Sequence, residues 1–197
     1  MEEKRQGEAA VAPLRLSELP SRPAFMESRR VTGAERGTMI HRVLSLMPLQ
    51  RLAASPRLLI KDVVLEEVHA MVEQGILTSE ELLMLPLQGV ERFYMSEIGQ
   101  RILRSADVRR EWSFNLRLDD RATLLQGVID CAFLEGDSWI LLDYKTDHID
   151  DEAAFVERYE MQLRWYARAL EQITHRPVKE KWLYALSTGK AYAVESC

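Results

Sequence analysis

Two apolar runs in the second half of the chain, VIDCAFL and WILLDY, stand either side of Glu135-Gly136-Asp137. Each run is strand-length, and an acidic–Gly–Asp break between strand-length runs predicts a hairpin. The hairpin constrains more than the fold, because each run carries charge near one end. Asp130 lies near the end of the first, Asp143 closes the second, and Lys145 follows two residues later. Residues two apart on a strand share a face, so Asp143 and Lys145 project together and the hairpin brings Asp130 alongside. Two carboxylates and one ammonium then converge at one edge of a sheet. Such a set can hold a divalent metal ion and activate water for phosphodiester hydrolysis. The alternative is a surface hairpin with ordinary charges. Against it, Asp143 directly follows Trp139-Ile140-Leu141-Leu142, where a buried strand emerges.

The rest of the chain supplies helices before the hairpin and one long helix after it. Residues 1–30 hold Pro13, Pro20 and Pro23 without sustained apolar periodicity and are expected to be a linker or tail. A helix is expected from near Ala34 to Pro48, with Ile40, Val43, Leu44 and Met47 on one side and His41 at the margin of that stripe. Gly37-Thr38 is unusual inside a helical pattern and suggests close approach of another backbone. Further helices are expected over Leu58–Gln74, after the Thr78-Ser79-Glu80-Glu81 cap, and over Leu87–Leu103. The period then changes to alternation. Strands are expected over Glu111–Leu118, Thr123–Phe133 and Trp139–Tyr144, then a helix over Asp151–Thr174, then strands over Lys181–Leu186 and Ala191–Val194. The fold class is therefore α/β: a mainly helical part over residues 31–108 and a sheet-containing catalytic core over 109–197.

Composition excludes several function classes. No apolar stretch approaches the roughly 20 residues of a membrane helix, and the polar start MEEKRQGEAAVAP is no secretory signal. The two cysteines, Cys131 and Cys197, cannot build a four-thiolate cluster, and the expected setting is reducing and cytoplasmic. No GxxxxGK[ST] nucleotide-binding loop is present. The net charge of −5 hides an asymmetry, since Glu27–Lys61 holds seven Lys/Arg against two acidic residues while Asp143–Glu160 is strongly acidic. A basic segment facing an acidic metal pocket suits a nuclease; two solvated faces of opposite sign are the alternative. Gln162 and Tyr166 stand one turn apart on a helix face and can hold a phosphate or brace the lysine. Glu111 is a candidate for an additional acid at the start of a strand.

Four segments, RGTMIH (Arg36–His41), GVIDCAF (Gly127–Phe133), LLDYKTD (Leu141–Asp147) and YEMQLRWYARAL (Tyr159–Leu170), together resemble the RecB-like branch of the PD-(D/E)XK nucleases. Within it the chain looks most like the C-terminal nuclease domains of AddA-type helicase–nucleases. The resemblance implies a restriction-endonuclease-like core, a central mixed sheet flanked by helices, with a helical N-terminal extension. It implies metal binding by His41, Asp130, Asp143 and the carbonyl of Tyr144, and catalysis by Asp130, Asp143 and Lys145 with Gln162 and Tyr166. DNA contacts would come from Arg36, Thr38, Gln162 and Tyr166. The cofactor would be Mg²⁺, with Mn²⁺ able to substitute, without an iron–sulfur cluster. The partners would be single-stranded DNA, a helicase part of the same longer protein and an AddB-type partner protein. The activity would serve repair of double-strand breaks. A DNA-binding or docking module with little activity of its own, and a stand-alone nuclease, remain alternatives.

Overall fold

A computed structural model describes residues 33–117 and 124–195. The expected tail, Leu118 and Thr123 lie outside them. Helices come first. Helix α1 (Gly33–Leu46) ends before Pro48 and is followed by α2 (Leu49–Ala54), a 3-10 turn (Arg57–Leu59), α3 (Ile60–Glu73), α4 (Ser79–Met84), α5 (Leu87–Met95) and α6 (Glu97–Arg104). The cap read at Thr78 is present: its hydroxyl accepts from the Glu81 amide while the Glu81 carboxylate accepts from the Thr78 amide. Two helical expectations need correction. Helix α2 fills a stretch read as a connection. The single helix expected over Leu87–Leu103 is broken at Ser96, whose hydroxyl accepts from the Gly99 amide and caps α6.

One five-stranded sheet follows: β1 (Val108–Arg117), β2 (Leu124–Glu135), β3 (Ser138–Lys145), β4 (Val178–Ala185) and β5 (Lys190–Ala193), lying side by side in that order. The neighbouring pairs are antiparallel except β3 and β4, which run parallel. Helix α7 (Glu152–Thr174) forms the crossover that a parallel pair requires. Asp151 caps α7 by accepting from the Ala153 and Ala154 amides. The hairpin turn read at Glu135-Gly136-Asp137 joins β2 and β3, with Glu135 opposite Ser138 and Gly136 at φ 62°.

The sheet divides two cores. Ile140, Leu142 and Tyr144 of β3 pack toward the N-terminal helices with Ile40, Val43, Leu44 and Phe93. Trp139 and Leu141 pack toward α7 with Phe155, Leu163 and Leu170. Six consecutive residues of β3, Trp139 to Tyr144, are buried, which is why the run reads as continuously apolar. Strands β1 and β2 change faces midway. Val108 and Cys131 belong to the helical core, whereas Trp112 and Ile129 belong to the α7 core. The change falls between Arg110↔Cys131 and Trp112↔Ile129, at Glu111 and Asp130, and Glu111 holds a left-handed φ of 48°. Among the described residues, no helix is long and apolar enough to cross a membrane.

Candidate active site

The C-terminal end of β3 delivers Asp143 and Lys145 to the α7 side of the sheet, continuing the alternation of Trp139 and Leu141. Lys145 Nζ lies 2.7 Å from Asp143 Oδ2. It also donates to Gln162 Oε1 at 3.2 Å, while Gln162 Nε2 donates to Asp143 Oδ1 at 3.3 Å and to the Tyr166 hydroxyl at 3.0 Å. The i, i+4 pair on α7 therefore braces both members of the β3 pair. Gly127 leaves room for it. A Cβ there would stand 2.8 Å from the Phe114 ring and 3.0 Å from Tyr166 Cε1.

A second cluster lies against Asp143. The ligand atoms of His41, Glu111 and Asp130 all lie within 4.8 Å of one another. His41 comes from α1; its Nδ1 is 3.4 Å from Asp130 Oδ1 and 3.6 Å from Glu111 Oε1. Its Nε2 donates to the Tyr144 carbonyl at 3.2 Å, and Asp130 Oδ2 accepts from the Tyr144 amide at 2.8 Å. Tyr144 thus ties α1 and β2 to β3 through its backbone, while its ring packs on Phe93 at 5.0 Å.

Electrostatics mark this as a crowded anionic site. Burial and the charge of Asp130 push the Asp143 carboxyl up to about 6, against the pull of Lys145 and His41. Burial and Asp130 likewise raise Glu111, with His41 opposing. Burial alone would lower His41, yet the hydrogen bond and charge of Asp130, with Glu111 and Asp143 behind it, raise it overall. Lys145 follows the same pattern: burial lowers it, and Asp143 more than compensates. Without a metal, two cations sit among three carboxylates that would otherwise repel. The donor set, carboxylate oxygens, a backbone carbonyl and an imidazole, fits Mg²⁺ or Mn²⁺. Asp143 Oδ2 is buried without a well-directed hydrogen bond, so a lone pair remains for a cation.

Of the residues singled out in the sequence, His41, Glu111, Asp130, Asp143, Tyr144, Lys145, Gln162 and Tyr166 come together. Thr38 is exposed and lines, with Gly37, His41, Arg42, Ser45 and Glu111, an open cleft of about 510 Å³. Arg36 is exposed on the same helix and takes no part in the cluster. A Cβ on Gly37 would meet Thr146 Oγ1 at 3.5 Å, an ordinary contact, so the protein itself makes no close backbone approach there. The basic segment does not converge on the site as expected. Arg42 turns to Ile76 O and Glu81, Arg51 pairs with Glu66 and Glu67, and Arg57 donates to Met95 O. Sequence reasoning missed two contributors. Tyr159, read as an apolar-spaced helix residue, lies under Lys145. Arg110 donates to Leu44 O and Met47 O, fastening the end of the helix that carries His41.

A family model described as the PD-(D/E)XK nuclease superfamily matches residues 14–195. Similar proteins include the AddA-type ATP-dependent helicase/nuclease of Clostridium novyi (strain NT), 35% identical over 183 residues. Its counterparts of the same name from Clostridium botulinum (strain Langeland) and Clostridium kluyveri (strain NBRC 12016) are 32% and 33% identical over 181 residues. Each alignment covers 84% of this chain and 14% of the relative. The chain thus spans about one seventh of the length of these relatives.

Proposed function

The chain belongs to the PD-(D/E)XK nuclease superfamily, and on that premise we propose that it is a metal-dependent deoxyribonuclease hydrolysing phosphodiester bonds. The observation that carries this reading is the meeting of His41, Glu111 and Asp130 beside the Asp143–Lys145–Gln162 chain. His41, Asp130, Asp143 and the Tyr144 carbonyl would hold Mg²⁺ or Mn²⁺, with Glu111 as an additional acid. The ion would supply positive charge to polarise the scissile phosphate and favour attack by water.

The chain's own groups then have separable roles. Lys145 enters as an ammonium, because Asp143 keeps its proton affinity high. It orients the attacking water and offsets charge developing on the phosphoryl oxygens, rather than removing a proton. Gln162 holds Lys145 and Asp143 at a fixed separation. Tyr166 anchors Gln162 and, with Thr38 and Arg36 at the cleft, contacts the DNA. The similarity to helicase/nuclease proteins extends the reading. We infer that the domain acts as the nuclease module of such an enzyme, on a single strand fed by a helicase part, beside an AddB-type partner, during processing of broken DNA ends.

End-labelled single-stranded DNA with Mg²⁺, Mn²⁺ or EDTA tests this directly, beside Lys145→Ala. The expected outcome is metal-dependent cleavage, reduced in the variant by at least about a hundredfold with the fold intact. Undiminished cleavage by Lys145→Ala would overturn the site assignment. Metal binding without cleavage would favour the docking-module reading, in which the rest of a longer protein must present the strand.

A further inference from the structure

Lys145 has a third neighbour besides Asp143 and Gln162. Its Nζ stands 4.1 Å from the centroid of the Tyr159 ring. Tyr159 is on α7 one turn before Gln162 and is half-buried against the α7 core. Its ring is fixed edge-to-face by Phe155, centroids 5.5 Å apart, and Phe155 is fixed by Tyr192 of β5 at 5.4 Å. Tyr192 is anchored at its other end, where its hydroxyl donates to Glu152. Three aromatic rings therefore run from the last strand of the sheet to the underside of the ammonium group.

We propose that Tyr159 is a positioning residue for Lys145, its ring face forming a cation–π seat that sets where the ammonium points. The inference rests on the nuclease reading above and deepens it. An ammonium has three N–H donors. Asp143 and Gln162 engage two of them. An oxygen acceptor in place of the ring would capture the third. A π face instead attracts the charge electrostatically while offering no strong directional acceptor. The third N–H stays available to the water or phosphate oxygen, and the side chain is still held on the side opposite the reacting groups. The role belongs to the ring face; the hydroxyl is dispensable.

The test uses the full 197-residue chain and two readouts. In proton–carbon spectra of protein labelled with ¹³C-lysine, Lys145 is identified by its absence from Lys145→Arg. Its ε-methylene protons are expected well upfield in the wild type and in Tyr159→Phe, through the ring current, and at the ordinary lysine position in Tyr159→Leu. In the cleavage assay Tyr159→Phe is expected within about twofold of wild type, and Tyr159→Leu roughly tenfold lower in kcat with KM unchanged. An ordinary Lys145 shift in the wild type overturns the proposal, even should Tyr159→Leu fail to fold. So does a Tyr159→Leu enzyme as fast as wild type, or a Tyr159→Phe enzyme as slow as Tyr159→Leu. An inactive wild type counts against the nuclease reading alone, and the spectra then decide the seat by themselves.

Discussion

Glu111 is where backbone cost and chemistry meet in one residue. A left-handed φ costs an L-residue with a Cβ about 1–2 kcal/mol, and Glu111 adopts 48° in the middle of β1. The same conformation sits where β1 changes faces and puts the carboxylate beside His41 and opposite Asp130. Strain kept at a charged cluster points to function rather than to stability. Glu111→Gly is therefore expected to raise the metal-free melting temperature by a few degrees, from roughly 1 kcal/mol of strain relieved, and to weaken metal binding. Glu111→Gln keeps the strained backbone, so it is expected to lose the metal effect with little gain in strain energy. Thermal unfolding with EDTA and with Mn²⁺ separates the two. A full Mn²⁺-induced increase in Glu111→Gln would remove Glu111 from the ligand set. Asp130, Asp143 and Lys145 were legible in the sequence because strand period and a turn place them together. Glu111 was legible only as a nearby acid, since nothing in its residue type announces a positive φ.

At the scale of elements, the break between α5 and α6 sets the frame that the site leans on. Phe93 near the end of α5 packs on both Tyr144 and Tyr184, at 5.0 and 4.9 Å, and so supports the end of β3. The chain turns at Ser96, and Gly99 then passes so close that a Cβ would lie 2.0 Å from the Phe93 carbonyl oxygen. That oxygen belongs to the backbone and cannot swing aside. Gly99→Ala is expected to destabilise by about 3 kcal/mol, against about 1 kcal/mol for Ser96→Ala, which removes only a cap. Urea unfolding measures both, and a Gly99→Ala protein within about 0.5 kcal/mol of wild type, the range of ordinary surface changes, would contradict the close packing. The sequence hides this corner because Val90, Phe93, Ile98 and Ile102 keep helical spacing across it, with neither proline nor glycine at the break itself. Helix α2 was hidden for a different reason. Six residues between two prolines carry too short a period to register.

Across the whole molecule, the arginines fasten layers together, and segmental charge alone could not reveal it. Pairing in space depends on which faces meet, so the basic run from Glu27 to Lys61 read as a strand-binding surface although Arg42, Arg51 and Arg57 serve the helical layer. Arg101 shows the consequence for stability. From α6 it reaches across the sheet, donating to both oxygens of Glu135 at the end of β2, at 2.8 and 2.9 Å, and to both of Glu180 on β4, at 2.8 and 3.0 Å. Arg101, then burial in opposition, then Lys179 hold the Glu135 carboxyl down at about 2. An unfolded glutamate titrates near about pH 4.3. The folded group is the stronger acid, so its contribution is present in full above about pH 4.5 and fades as pH falls toward about 2. Partial exposure screens the interaction, leaving roughly 1–2 kcal/mol of the larger linkage value. Arg101→Met removes the contribution and leaves two carboxylates facing each other. Its stability deficit against wild type is expected to be largest near pH 7 and to shrink steadily toward pH 3 as both acids are protonated. Urea-unfolding free energies of the two proteins along that range measure the gap directly. A deficit that stays constant with pH would mean that Arg101 acts by packing on the Phe133 ring, 5.8 Å away, and not by charge.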